Sequence, residues 1–530
     1  MPASPSPTPT PPGGETPLYA GAGAERGMLG VWRARSPSPA EPERMPLVAR
    51  VLAARGLGDA AAGRDFLHPT LKLMHDPSLM PDMDRAAERL LTAARGGERI
   101  VIYGDYDVDG VSATAILYHM LRHLAPACTV ATYVPHRLDE GYGLNAEAIR
   151  ALAAEGARVI VSVDCGVTAM EPARVAREVG VDLIVTDHHN PPARLEDLPP
   201  AFAVVHPRRP DSSYPFGDLS GSAVAFKLAW RLATMACGGD KVGAATRELL
   251  LELLGLASLG VIADVVPLQG ENRVLARFGL SKLRHSANLG VRALIEASGL
   301  DGENVGEYDV GFKLGPRLNA CGRLGHAREA VELLTVAGPA RAREIAEQLT
   351  RLNNERRAVE KRISEEAAAL AEQGGMTGRD RRAIVLASEA WHAGVVGIAC
   401  SRLVGQFYRP TILMHREGDE CHGSGRSIDG FKLHGALEAC SKHLAGFGGH
   451  DMAAGVRVSM KNLPAFVEAF TQEANRLIRV EDLCAKVAYD TAAEVEELTT
   501  DAVRELSCLA PFGRENPAVR VKLGPVKVEG

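Results

Sequence analysis

Three aspartates at alternate positions, Asp105, Asp107 and Asp109, lie in the run GDYDVDG, Gly104–Gly110. Carboxylates this close repel one another, and a bound cation relieves the repulsion. The flanking glycines permit sharp turns and close approach of the backbone. Three more segments offer similar chemistry. VSVDCG carries Asp164, IVTDHHN carries Asp187, His188 and His189, and VIADVVPL carries Asp264. Two adjacent histidines point in different directions. One can coordinate a metal while the other meets substrate, and Asp187 can orient a ring as an acceptor. An oxygen-rich set with one or two histidines favours Mn²⁺ or Mg²⁺ over structural zinc. Four or more carboxylates can hold two cations about 3.5–4 Å apart, a pair that activates water and clamps phosphoryl oxygens during in-line attack. GDYDVDG also resembles part of a calcium loop, but it lacks the acid that completes an EF-hand and it follows a strand. Neither a G-x-S-x-G nor a Walker A sequence is present.

The elements that must position these groups read as an α/β pattern. RIVIYG (Arg99–Gly104), CTVATYVP (Cys128–Pro135), ARVIVSVDCG, VDLIVTDHH and FAVVHP (Phe202–Pro207) are strands. VSATAILYHMLRHL (Val111–Leu124) and NAEAIRALAAEG are helices between them, the second entered at Asn145 as N-cap. Continuously apolar strands alternating with helices predict an open parallel sheet covered on both faces. The carboxyl edge of such a sheet is where ligands bind. Asp105, Asp164 and Asp187 all fall there.

Length and composition set the frame. At 530 residues the chain is expected to form two to four domains. Residues 1–40 read as a disordered tail rich in Pro, Ser and Thr, without the pattern of a secretory signal. Residues 41–338 read as the catalytic α/β domain with an N-terminal helical segment. Ala340–Gln373 lacks both Gly and Pro and carries one apolar stripe, which predicts a long linking helix over 339–375. A smaller α/β domain over 376–480 and a β-rich region over 481–530 follow. No run of eighteen apolar residues occurs, so no membrane span is expected. Nine scattered cysteines without a C-x-x-C pair argue against a zinc knuckle and fit a reducing cytoplasm. The net charge of −6 counts against nucleic acid unless charge is segregated, as it is in Arg351–Arg362 and Arg379–Arg382.

DYDVDG, SVDCG, TDHH and ADVVPL resemble the ordered motifs of the DHH phosphoesterases. PHRLDEGYGL (Pro135–Leu144), GPRLNACGRL (Gly315–Leu324), LNNERR (Leu352–Arg357), WHAGVVGIACSRL (Trp391–Leu403), GSGRS (Gly423–Ser427), GFGGHDMAAG (Gly446–Gly455) and PFGRENP (Pro511–Pro517) are similar to the RecJ branch of that family. The resemblance implies a DHH lobe, a DHHA1 lobe and the beginning of an OB-fold. It implies a Mn²⁺- or Mg²⁺-dependent 5′→3′ exonuclease on single-stranded DNA, active in recombination and repair. A single-strand-binding protein and a RecQ-type helicase are the protein partners it suggests, with the chain itself a monomer. The metal ligands it implies are Asp107, Asp109, Asp164, His188 and Asp264, for two ions. Asp105 is an additional ligand or supporting group, and His189 contacts the scissile phosphate. Tyr103 stands four residues before Asp107, where several relatives carry a histidine ligand, which bears on the occupancy of one metal site. Phosphate donors are expected at Arg137, Arg317, Arg323, Ser424 and Arg426, since guanidinium forks match phosphate oxygens. Gly423, Gly425, Gly448 and Gly449 can expose backbone N–H groups to an anion, and His450 is a further phosphate or base contact. Two rival readings are a phosphodiesterase of short oligonucleotides or cyclic dinucleotides, and a non-catalytic DNA-binding scaffold.

Overall fold

A computed structural model describes residues 25–26, 30–36, 45–136, 140–239, 241–300 and 304–524. The chain divides into two compact units. One contains 39–361 and 493–519, and the other contains 1–38, 362–492 and 520–530.

The larger unit is built on five parallel strands: β1 (Arg99–Tyr103), β2 (Val130–Tyr133), β3 (Ala157–Val163), β4 (Asp182–Thr186) and β5 (Ala203–Val205). Their order is β2-β1-β3-β4-β5. The chain steps outward from β1 in both directions, so the topological switch point lies between β1 and β3. Register brings the strand ends level: Tyr103 pairs Ser162, Val163 pairs Thr186, and Thr186 pairs Val205. The residues that follow β1, β3 and β4 therefore emerge on one edge. Ile100, Ile102, Val159 and Val161 pack one face of the sheet, and Val101, Tyr103 and Ile160 pack the other. Both faces are covered, as the unbroken apolar strands require.

Four helices complete the site's frame. They are α1 (Val108–Leu124), α2 (Gly221–Ala236), α3 (Ala244–Ala263) and α4 (Gly270–Leu283). Helix α1 starts three residues earlier than its apolar pattern suggests, because Asp107 caps it. The Asp107 Oδ1 atom accepts from the Asp109 and Gly110 amides at 2.9 and 3.1 Å. Asp109 thus lies inside the first helical turn, not in a loop. A fifth helix, α5 (Gly315–Leu324), carries the GPRLNACGRL motif. A sixth, α6 (Pro339–Gln373), is 35 residues long and matches the expected linking helix. Its arginines are partly spent on structure: Arg356 donates to Glu360 at 2.7 Å and to Asn353 at 2.8 Å.

The smaller unit holds a five-stranded sheet. Its strands are β6 (Ile384–Ser388), β7 (Thr411–Glu417), β8 (Glu420–Arg426), β9 (Gly446–Gly449) and β10 (Ala453–Ser459), in the order β9-β10-β8-β7-β6. Only the β6–β7 pair is parallel. Arg382, one of the clustered arginines, donates to the Asn475 and Ile478 carbonyls at 2.7 and 2.6 Å and so braces this unit.

Two segments differ from the sequence reading. Within the expected tail, Val31–Ala34 is a strand paired in parallel with Lys486–Tyr489. Its partner lies far along the chain, so no local pattern announces it. The 481–530 region is not one β-rich module. Lys486–Tyr489 belongs to the smaller unit, while 493–519 packs in the larger one. Leu506, Leu509 and Phe512 supply the reason, joining Val51, Leu52 and Phe66 in one apolar cluster. Among the described residues no helix is long and apolar enough to cross a membrane.

Arg273 on α4 fastens this segment to the larger unit. Its guanidinium is buried over the Phe66 ring, 3.8 Å from the centroid. It donates to the carbonyls of Phe66, Leu509, Cys508 and Ala510 at 2.7–3.2 Å. Replacing Arg273 with alanine leaves these buried carbonyls unpaired. Arg273→Ala is expected to lower the unfolding free energy by about 3 kcal/mol in urea titrations. A loss below about 1 kcal/mol would show that the clamp is dispensable.

Candidate metal centre

The five acids and His188 expected as metal ligands come together. His188 Nε2 lies 3.1 Å from Asp164 Oδ1, 3.6 Å from Asp264 Oδ2 and 3.8 Å from Asp109 Oδ2. Three groups each place their ligand atoms within 4.8 Å of one another: Asp105, Asp107 and Asp164; Asp109, His188 and Asp264; and Asp164, His188 and His189. The first two groups share no residue, and Asp164 with His188 links them. The arrangement has room for two neighbouring cations.

The donor set fits divalent cations on two grounds. Asp164 Oδ1 and His188 Nε2 are both buried, and neither makes a hydrogen bond despite lying 3.1 Å apart. Buried polar atoms without partners are costly unless a ligand completes them. The acids also resist ionising together. Burial raises the Asp164 carboxyl well above its usual range, and Asp109, Asp107, Asp105 and Asp264 push it further. Burial and Asp109 raise Asp107 too. Burial, with Asp109 and Asp107, pushes Asp264 up to about 8. A divalent cation removes this penalty.

The surrounding backbone holds the acids against their repulsion. Asp109 accepts from the Gly221 and Ser222 amides at 2.5 and 3.0 Å, so its charge rests on the N-terminus of α2. Only glycine fits at two nearby positions. A Cβ on Gly260 would sit 2.1 Å from Asp109 Oδ1, and one on Gly221 would sit 2.4 Å from Asp164 Oδ1. Asp164 itself adopts a left-handed backbone, φ 63°, a conformation that few residue types tolerate as well as Asp does. Asp264 differs from the rest in origin, since it is the C-cap of helix α3. Asn319 on α5 accepts from the Val108 amide at 3.0 Å and fixes the start of α1.

Asp187 does other work. Its Oδ2 accepts from the Val167 amide at 2.9 Å, and its Oδ1 accepts from the His188 and His189 amides. Oδ1 also meets His189 Nδ1 at 2.8 Å. Burial alone would lower the His189 imidazole, but Asp187 outweighs it and raises the ring to about 9. His189 is thus held protonated at neutral pH, half-exposed beside the acid cluster. The Tyr142 hydroxyl lies 3.2 Å from His189 Nε2 and donates to the Asp164 carbonyl at 3.3 Å. His206 supports this corner. Its Nδ1 accepts from the Arg208 amide, so Nε2 carries the proton and donates to the His189 carbonyl at 2.7 Å.

Tyr103 is fully buried, with its hydroxyl donating to the Gly143 carbonyl at 3.1 Å. It packs against Tyr133 on the far face of the sheet and takes no part in the acid cluster. The first ligand group therefore consists of three carboxylates.

The expected phosphate donors scatter. Arg137 lies outside the described residues. Arg317 and Arg323 sit on α5 beside Asn319, with Arg317 donating to Lys313 O and Thr350 Oγ1. Ser424 and Arg426 lie on β8 in the smaller unit, where a Cβ on Gly397 would be 3.1 and 3.3 Å from them. Gly448 and Gly449 lie on the edge strand β9, and His450 just beyond it is exposed. Tyr142, Gly221, Ser222, Gly260, Asn319 and His206 escaped the sequence reading. SGS before a long apolar helix was the available signal for the second and third, since serine there reads as an N-cap.

Comparison with known proteins agrees with this fold. Residues 99–261 match the DHH family, N-terminal domain, and residues 380–476 match the DHHA1 domain. The fold and the site thus define a two-unit DHH–DHHA1 protein. The chain is 35% identical over 488 residues to the single-stranded-DNA-specific exonuclease RecJ of Escherichia coli (strain K12), covering 90% of this chain and 82% of that protein. It belongs to the RecJ family. It is 41% identical over 478 residues to the Bacillus subtilis (strain 168) RecJ, with 90% of this chain covered, but it spans only 58% of that relative's length. A crystal structure of RecJ in complex with Mn²⁺ from Thermus thermophilus superposes with a TM-score of 0.75 at 32% identity, covering 89% of this chain and 65% of that one.

The raised acids have a pH consequence. In the folded apoprotein Asp264 holds its proton up to about 8, whereas the unfolded chain releases it near the ordinary value of 3.8. The native state therefore binds more protons between these limits, and its stability falls as pH rises through them. Asp264→Asn removes that penalty. In chelator, the variant should gain stability relative to wild type from about pH 4 to about pH 8. Saturating Mn²⁺ should reverse the ranking. A pH-independent difference would contradict the buried-acid assignment.

Proposed function

We propose that this chain is a metal-dependent exodeoxyribonuclease that hydrolyses single-stranded DNA from the 5′ end. The observation that carries the reading is the convergence of Asp105, Asp107, Asp109, Asp164, Asp264 and His188 on one sheet edge, with two ligand groups linked by Asp164 and His188. The names of the curated relatives, single-stranded-DNA-specific exonucleases, support the substrate. The Mn²⁺- and Mg²⁺-bound RecJ structures support the cofactor.

In this reading Asp105, Asp107 and Asp164 hold one cation, and Asp109, His188 and Asp264 hold the other. Bound there, Mn²⁺ or Mg²⁺ neutralises the phosphoryl oxygens and makes water acidic enough to attack near neutral pH. The protein's own groups do the remainder. Asp187 fixes the His189 ring through Nδ1 and favours its protonated form. Nε2, which also carries a proton in that form and lies 3.2 Å from the Tyr142 hydroxyl, is suited to bind an oxygen of the scissile group or protonate the departing one. Tyr142 restrains the same ring. The Gly221 and Ser222 amides keep the Asp109 carboxylate aimed. Arg317 and Arg323 on α5 are the candidates in this unit for binding the strand's phosphates. Ser424, Arg426, Gly448, Gly449 and His450 are candidates in the smaller unit. A single-strand-binding protein and a helicase are the partners this role would call for.

With Mn²⁺ present, a 5′-labelled single strand should release its label as mononucleotide, while duplex and 5′-blocked strands persist. Asp164→Asn should abolish release. His189→Gln should lower kcat by roughly 10²–10⁴-fold with little change in KM. A fifty-mer left intact while a dinucleotide is cut would favour the short-oligonucleotide phosphodiesterase. Binding without cleavage of either would favour a scaffold.

A further inference from the structure

Two of the most exposed large side chains among the described residues are aromatic and stacked. Tyr308 and Phe312 are 65% and 69% exposed, with ring centroids 4.8 Å apart at 29°. They stand on the turn Glu307–Asp309 and on the π-helical segment Val310–Leu314. Single π-helical turns are rare and often mark functional sites. Exposed rings of this size serve no core, and none of the described residues of this unit covers them.

Their location gives them meaning. Gly315, directly after the π turn, fits against residues that flank the metal centre. A Cβ there would lie 3.5 Å from Ala263 and 3.8 Å from Val108. Ala263 precedes Asp264, and Val108 stands between Asp107 and Asp109. Phe312 is three residues from that contact, no more than about 5 Å along a helix axis.

A second structure meets the same place. The hairpin closed by the Gly513–Asn516 bridge belongs to the segment that Arg273 fastens. The Phe512 amide donates to Glu307 Oε1 at 2.9 Å, beside Tyr308. The Leu268 amide donates to the Arg514 carbonyl at 3.0 Å, four residues after Asp264. Arg514 is exposed, and its positive charge acts on the Asp264 carboxyl. Of the two acids that flank Tyr308, Asp309 is paired with Lys313 at 2.9 Å and Glu307 is the acceptor of the Phe512 amide. Two flat rings and a cation thus stand on segments that adjoin the neighbours of Asp264, at a centre whose chemistry is that of phosphodiesters. An unpaired strand offers the complementary groups, since its bases expose π faces and its backbone carries one charge per nucleotide.

We propose that Tyr308, Phe312 and Arg514 form a track for the single strand beside the metal centre. The rings take an unstacked base, and the guanidinium takes a neighbouring phosphate. The proposal rests on the single-strand reading above, yet it can be tested without hydrolysis. The measurement is fluorescence anisotropy of a 3′-labelled twenty-mer in chelator, with one abasic site moved stepwise from the 5′ end. Wild type should lose affinity when the abasic site reaches one or two particular positions. Phe312→Ala and Tyr308→Ala should bind the intact strand about tenfold more weakly and should no longer sense the abasic site there. Phe312→Trp should restore both. Arg514→Ala should reduce the slope of log affinity against log salt by about 0.7, the value for one phosphate contact on a single strand.

Equal affinity of wild type and Phe312→Ala for the intact strand would overturn the proposal. So would abasic penalties that persist unchanged in both alanine variants, or a salt slope indifferent to Arg514. A dimer in sedimentation that Phe312→Ala dissociates would assign the patch to a second copy of the chain instead. Failure of wild type to cut DNA with Mn²⁺ would count against the nuclease reading alone, because the binding arms contain no metal.

Discussion

The larger unit is organised around the repulsion among five acids, Asp105, Asp109 and Asp164 among them buried, at the switch point of a parallel sheet. Such a cluster opposes folding, and the fold answers it in two ways. Some acids are stabilised by backbone amides: Asp107 by its own helix and Asp109 by the start of α2. Others are left unsatisfied, with Asp164 Oδ1 and His188 Nε2 facing one another without a bond. That division separates the groups that set the geometry from the groups that await a cation.

The same division explains the paired histidines. His188 is buried, and burial lowers its affinity for a proton, which keeps a nitrogen lone pair for a metal. His189, one residue on, points at Asp187 and is driven the other way, towards the imidazolium. The two rings lie side by side, centroids 4.5 Å apart at 55°, and their different partners let one short motif supply both a ligand and an acid. The tight approach of α2 and α3 depends on Gly221 and Gly260, because a single Cβ at either position would collide with a ligand carboxylate.

Much of this was legible in the sequence because the pattern is local. Apolar strands followed by Asp105, Asp164 and Asp187 predict a shared edge, and the long gap in Gly and Pro predicts α6 almost to the residue. What stayed hidden depends on partners distant in the chain. Val31–Ala34 has a strand partner more than four hundred residues away. Arg273 reads as an ordinary helix-face charge until the carbonyls of 508–510 close over it. Asn319 and Tyr142 carry no acid–base signature, and only the fold brings them to Val108 and His189. Tyr103 stands where the resemblance places a histidine ligand, but its ring packs with Tyr133 in the apolar cluster on one face of the sheet.

Calorimetric titration with Mn²⁺, with single-strand hydrolysis read on the same samples, bears most directly on the acid cluster as a two-cation centre. Two ions should bind per chain, releasing protons at pH 7 as Asp264 ionises, and hydrolysis should rise with filling of the second site. Binding of no ion, or full hydrolysis with a single ion bound, would contradict it.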